Sequence, residues 1–144
     1  MSIVTNKKAY FEYFVLEEYD AGIVLLGSEV KSIRQANVTL LDSFIYLKNG
    51  EVWIKNLKVA RYKQTHIAEP HDEGRDKKLL LTKKEISRIS RLLEDKGNTC
   101  VPLNIFVKKN KLKVKIGVVK GKKLWDKRQT IKERDQKREM QRGY

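Results

Sequence analysis

The sequence predicts a mainly β protein, a small antiparallel barrel of about six strands with helices at its ends. Three observations carry this. Apolar runs are paired through turn signals at Asn49-Gly50 and near Asn110, which makes hairpins rather than crossover units. The run from Lys111 to Val118 alternates, with Leu112, Val114, Ile116 and Val118 on one face and Lys111, Lys113 and Lys115 on the other. Only the segment from Thr82 to Gly97 carries a full set of helix signals.

Taken in order, Ala9 to Tyr19 is rich in aromatic and β-branched residues and predicts a first strand. Asp20 and Gly22 mark a bend or bulge before more strand. Ser28 to Ala36 predicts a short helix, capped by Ser28, with Val30 and Ile33 facing the core. Ser43 to Tyr62 forms a hairpin around the type I′ pair Asn49-Gly50. A polar loop follows, broken by Pro70 and Gly74. Thr82 and Glu85 then make a capping box, with Leu81 and Ile86 at the staple positions. Ile86, Ile89, Leu92 and Leu93 form the apolar stripe of that helix, and Gly97 supplies its stop. Thr99 to Val119 is the last hairpin, and no internal repeat is present.

The chain has 144 residues, enough for one domain with a sizeable core. It lacks an apolar run of the roughly 18 residues that a membrane span needs, and its N-terminus lacks the layout of a signal peptide. A lone cysteine, Cys100, sits in an apolar run and reads as a buried hydrophobe in a reducing compartment. The expected location is the cytoplasm.

Charge narrows the function. Lys and Arg number 32 against 18 Asp and Glu, a net charge of +14. Residues 1–107 hold 17 basic and 14 acidic residues, whereas 108–144 hold 15 and 4. Such a surplus needs an anionic partner. A membrane surface would also need an apolar face, and Leu124, Trp125, Ile131 and Met140 are too few to make one. Nucleic acid is the expected partner.

His66 and His71 share a loop with Glu69 and Asp72, without the spacing of a closed metal site, and read as surface residues. No phosphate loop, nucleophile elbow or Cys–His pair is present, so nothing argues for catalysis, a metal or a cofactor. The lysine row is more informative. Lys111, Lys113 and Lys115 lie roughly 6.5–7 Å apart on one strand face. From 108 to 128 there are ten basic residues and one acid, Asp126. A lysine-protected edge is the plainer reading of one such strand, but a phosphate backbone would relieve the self-repulsion of the whole run. Residues 126–142 are good helix formers without an apolar stripe, so a basic tail over 124–144 is expected that is mobile when free and ordered by a polyanion.

The blocks NKKAYFEYFVLEEYDAGIVLLGSEVKSIR, KKLLLTKKEI and KVKIGVVKGKKLWDKR, in this order, resemble the SmpB family, which binds transfer-messenger RNA in bacterial trans-translation. The resemblance runs along nearly the whole chain. It implies an OB-like barrel over 1–123 that grips the tRNA-like domain of that RNA, and a tail over 124–144 that becomes helical in the decoding centre of the small ribosomal subunit. It implies delivery with elongation factor Tu, an RNA that alanyl-tRNA synthetase charges, and no enzymatic activity. Carried over by motif, the RNA-gripping residues are Asp20, Gly22, Glu29, Lys31, Ser32, Arg34, Lys78, Leu80 and Thr82. The fold is expected to tolerate loss of Glu29 or Arg34. Lys120, Gly121, Lys122, Lys123, Trp125, Asp126, Lys127 and Arg128 match the block that serves the ribosome and tail entry. Asp20, Thr82 and Trp125 depart from the family pattern, standing where Glu, Asn, and His or Tyr are more usual. A general RNA-binding or ribosome-associated protein is the alternative reading of the composition.

Overall fold

Residues 2–60 and 72–122 are described by the computed structural model. They form β1 (Ser2–Thr5), α1 (Lys7–Glu12), β2 (Tyr13–Ile23), α2 (Gly27–Arg34), β3 (Val38–Thr39), β4 (Phe44–Lys48), β5 (Glu51–Lys55), β6 (Lys58–Val59), β7 (Lys77–Leu80), α3 (Lys83–Leu92), β8 (Asn98–Lys108) and β9 (Lys111–Gly121). Seven strands make one antiparallel sheet in the order β1-β8-β9-β2-β7-β5-β4, while β3 pairs with β6. The basic tail, the loop with His66 and His71, and the predicted residues Lys123, Trp125, Asp126, Lys127 and Arg128 lie outside the described residues.

The alternation in β9 sets the core. Leu112, Val114, Ile116 and Val118 are buried, packed in one cluster with Val52, Ile54 and Leu57 and with Ile89 of α3. On the other side of the same strands Ala9 of α1 closes a smaller cluster over Val101, Leu103 and Val119. Cys100 is buried as expected, and burial pushes its thiol up to about 12. Asn49 and Gly50 both adopt positive φ, as a type I′ turn requires. Thr82 and Glu85 form the reciprocal capping box, with Thr82 N–H donating to Glu85 Oε1 at 2.9 Å and Glu85 N–H to Thr82 Oγ1 at 3.2 Å.

Several expectations are corrected. The sheet is not a closed barrel: it curls until β4 lies against β8, but no ladder joins the two. Part of the β8 edge is already taken, because Asn104 to Phe106 pair with β1. Ala9 to Glu12 is helix rather than strand. Asn6 caps it, accepting from Ala9 N–H at 3.1 Å while its amide donates to Pro102 O at 2.9 Å. β2 runs on through Asp20 and Gly22, and the bulge falls between Val15 and Glu17 instead. α3 stops before Gly97 because Asn98 Nδ2 satisfies the Leu92 carbonyl at 2.8 Å. β7 escapes a pattern reading because Lys77 occupies one of its inward positions.

That lysine belongs to a buried ionic cluster. Glu29 is fully buried at the third position of α2 and accepts from Leu26 N–H at 2.7 Å, so the helix is capped by Glu29 and not by Ser28. Arg75 grips the same carboxylate through Nη2 at 2.6 Å and Nε at 3.3 Å, and Lys77 Nζ lies 3.6 Å away. Lys77 also donates to the carbonyls of Leu57 at 3.1 Å and Arg75 at 2.7 Å. The cluster ties α2 to the start of β7. Burial alone would raise the Glu29 carboxyl, but the Arg75 and Leu26 hydrogen bonds and the Lys77 charge outweigh it and hold it below the ordinary 4.5. Burial pushes the Lys77 ammonium down.

Two outcomes follow. Glu29→Gln leaves two cations without their carboxylate, and should lower the unfolding free energy by ~3–5 kcal/mol in urea. Because the Glu29 carboxyl titrates lower when folded, its contribution is complete above the unfolded value and is lost as pH falls through the folded one. An acid titration of stability should therefore be flatter in this variant than in the wild type. At Gly117 an added Cβ would stand 2.6 Å from Leu103 Cδ1 in the smaller cluster. Gly117→Ala should destabilise by ~1–3 kcal/mol, and pairing it with Leu103→Ala should give less than the summed loss.

Candidate nucleic-acid interface

Strand alternation decides which side chains face outward. In β2 the residues Tyr19, Ala21 and Ile23 pack on the core, so Glu18, Asp20 and Gly22 point to the other side. Register then places Gly22 between Lys113 of β9 and Leu80 of β7, and Asp20 opposite Lys115. A Cβ on Gly22 would come within 3.2 Å of Leu80 Cβ, so the bare glycine lets Leu80 lie close across the strand. Leu80 is 52% exposed, a large apolar side chain left to solvent.

α2 closes one end of this surface. Arg34 Nη2 donates to the Asn110 carbonyl at 3.2 Å, which docks the helix on the β8–β9 turn. Gly22, Leu80, Arg34, Lys111 and Lys113 thereby line one open groove of about 390 Å³, floored by Val30 and Leu112 among others, and no carboxylate lines it. Lys111 and Lys113 make no ion pair among the described residues. Lys115 stands farther along the row, 3.8 Å from Glu18 and 5.9 Å above the Phe106 ring. Lys78 pairs with Glu51 at 3.1 Å. The groove thus concentrates unbalanced positive charge beside exposed apolar surface, a combination suited to phosphate with a base or ribose next to it.

The other motif residues divide. Asp20 and Lys31 are exposed on the outer faces of β2 and α2. Glu29 and Ser32 are fully buried, so neither can touch RNA directly; Glu29 acts on α2 and Arg75 through the ionic cluster. The same burial argues against the expectation that the fold would tolerate loss of Glu29. Thr82 is exposed, but its hydroxyl is engaged in the cap. Lys120 and Gly121 end β9, and Lys122 bends back on α1, its N–H donating to Glu12 O at 2.8 Å and its Nζ lying 5.1 Å from the Phe14 ring. Asn110, Val30 and Leu112 join the groove although the sequence marked them only as turn and core positions. Arg75 and Lys77 were hidden as well, because cations in a polar stretch read as solvated. Among the described residues no helix is long and apolar enough to cross a membrane, and no His, Cys, Asp and Glu group could hold a metal.

The model of the family described as "SmpB protein" matches residues 3–144. The chain is 49% identical over 143 residues to the SsrA-binding protein of Aquifex aeolicus (strain VF5), covering 99% of this chain and 90% of that one. It is 47% identical over 138 residues to the SsrA-binding protein of Thermosynechococcus vestitus, covering 96% and 91%. A solved chain described as "tmRNA-SmpB: a journey to the center of the bacterial ribosome" superimposes with a TM-score of 0.71 at 39% identity, covering 86% of this chain and 87% of that one. With a family match over nearly the whole sequence and relatives of this identity, the chain belongs to the SmpB family.

Proposed function

We infer that this protein binds transfer-messenger RNA and brings it to ribosomes in trans-translation. The observation that carries the inference is the acid-free groove, where Arg34, Lys111 and Lys113 converge on Gly22 and Leu80 in a chain of the SmpB family. In this reading Lys111, Lys113 and Lys115 engage backbone phosphates of the tRNA-like domain. Arg34, Lys31 and Lys78 hold the flanking strand, Leu80 packs on a base or ribose, and Asp20 accepts from a base or ribose donor. Glu29 and Ser32 position α2 from beneath, and Thr82 fixes the start of α3. Gly22 keeps the floor low enough for close approach.

Residues 1–123 form the RNA-gripping unit of this proposal, an OB-like curled sheet. Residues 124–144 form the tail, helical in the decoding centre, with Lys120, Gly121, Lys122, Lys123, Trp125, Asp126, Lys127 and Arg128 leading into it. Elongation factor Tu is the delivery partner and alanyl-tRNA synthetase charges the same RNA. The work is that of a binding protein of the cytoplasm, without a cofactor.

Charge neutralisation makes the binding salt-dependent. Each phosphate contact contributes roughly 0.7–0.9 to the slope of log K against log salt. Replacing Lys111 and Lys113 with Glu should lower that slope by about two contacts, and Arg34→Ala should weaken the complex while the circular-dichroism spectrum stays unchanged. Bulk tRNA competing as well as transfer-messenger RNA would identify a general RNA binder instead.

The tail separates binding from delivery. Removing 129–144 should leave RNA affinity intact and abolish tagging of nascent chains on stalled ribosomes, and Asp126, Lys127 and Arg128 changed together to Ala should do the same. Tagging that survives truncation, or RNA binding that vanishes with it, contradicts this division.

A further inference from the structure

The outer face of the sheet does not end at the groove. Val52 and Ile54 of β5 are buried, as is Ile45 of β4, so Trp53 and Tyr46 point to the outer side. Register places Tyr46 opposite Trp53, and Trp53 opposite Lys78 of β7. Lys78 and Leu80 are successive outward residues of one strand, and Leu80 lines the groove. Trp53 therefore stands two strands from Gly22, roughly 10 Å across the same face. Both rings are half-buried, and they line an open cleft of about 290 Å³ with Lys48, Asn49, Glu51 and Asp76.

The chemistry of this cleft differs from that of the groove. Glu51 and Asp76 both line it, so it is a poor seat for phosphate. Tyr46 Oη donates to Asp76 Oδ2 at 2.8 Å, which fixes that carboxylate at the cleft and pushes the phenol above its ordinary 10. Glu51 is held by Lys78 at 3.1 Å. An indole beside a fixed carboxylate suits an unpaired base that brings donors on its Watson–Crick edge. Among the four common bases, guanine presents two adjacent donors there, N1–H and the N2 amino group. A carboxylate has acceptor sites for both besides the Tyr46 bond. Adenine turns its N1 lone pair to the same place, and the carboxylate repels it.

An arginine side chain from a protein partner would also match a ring and a carboxylate. Two observations favour the base. The net charge of +14 repels a basic partner at long range, and the cleft is continuous, through Lys78, with a groove suited to RNA. We propose that Trp53 and Asp76 form a guanine subsite, Trp53 stacking on an unpaired guanine of the RNA held in the groove and Asp76 accepting from its N1–H and N2 amino group. That this RNA is transfer-messenger RNA rests on the function inferred above.

The test uses the full chain with short uridine oligonucleotides that carry a single guanine, inosine or adenine, followed by tryptophan fluorescence. The guanine oligonucleotide should quench a signal that Trp53→Phe removes, and should bind about fivefold or more tighter than the other two. Asp76→Asn should level the three. Trp53→Ala should weaken transfer-messenger RNA binding about tenfold. Its salt slope should stay unchanged because no phosphate contact is lost, and Trp53→Phe should return part of the affinity. Circular dichroism checks the fold; were Trp53→Ala to unfold, the base preference of Asp76→Asn decides. Equal binding of guanine and adenine oligonucleotides by the wild type would overturn the proposal, and so would wild-type RNA affinity in folded Trp53→Ala. An arginine-rich peptide that displaces the guanine oligonucleotide at lower concentration than guanine RNA itself would overturn it too, assigning the cleft to a protein. If the wild type preferred guanine yet ignored transfer-messenger RNA, the functional inference would fall and the subsite would stand.

Discussion

A carboxylate with no solvent around it must be met by cations and hydrogen-bond donors, and Glu29 meets Arg75, Lys77 and the Leu26 N–H at once. The placement of α2 on the groove side depends on that meeting. The cluster caps α2, and it holds the helix against the chain entering β7, because Lys77 also bonds the Leu57 and Arg75 carbonyls. With α2 placed, Arg34 reaches the Asn110 carbonyl and the groove acquires its end wall. Lost apolar contacts could be absorbed by neighbouring side chains, but loss of the Glu29 charge strips Arg75 and Lys77 of their shared buried partner. The cluster therefore acts on geometry as much as on stability.

The alternation of β2 then separates two tasks within one strand. Tyr19 and Ala21 serve the core, and Glu17 on their side holds Arg88 of α3. Asp20 and Gly22 serve the outer surface beside Lys115 and Lys113. The bulge between Val15 and Glu17 sets this phase, because a strand without it would turn each following side chain to the other face. Before the bulge Val15 packs with the smaller cluster beneath α1. One extra residue thus allows the same strand to bury opposite faces at its two ends.

Much of this was legible in the sequence where local rules agree. The Asn49-Gly50 turn, the Thr82–Glu85 box, the inward row of β9 and the outward Lys111, Lys113 and Lys115 each follow from one spacing or one residue pair. The misses share a cause, which is tertiary override. Ala9 to Glu12 has the composition of a strand, yet Asn6 is anchored on Pro102 and starts a helix there. Lys77 looks solvated and is buried, because its partner lies 48 positions away in the chain at Glu29. Closure of the barrel failed for a similar reason: β1 occupies a β8 edge that no local pattern reserves for it. In the candidate site, motif resemblance found Gly22, Leu80 and Arg34, while only the fold could show that Glu29 and Ser32 lie beneath the surface.

The places where this chain breaks local rules are not scattered. Lys109 and Asn110 both adopt positive φ at the β8–β9 turn, where a lysine is a poor occupant and glycine a better one. That turn accepts Arg34 and borders the groove. Lys83 and Lys84 sit in the first turn of α3, where the helix disfavours cations. Lys77 sits in the core, under α2. A sequence selected for stability alone would have smoothed each of these, since none needs a change of fold to correct. Cations are kept at the turn and in the first turn of α3 despite the local cost, and both positions are exposed and adjoin other basic side chains. In the function proposed here, phosphates at the groove would offset the local cost of the cations that border it.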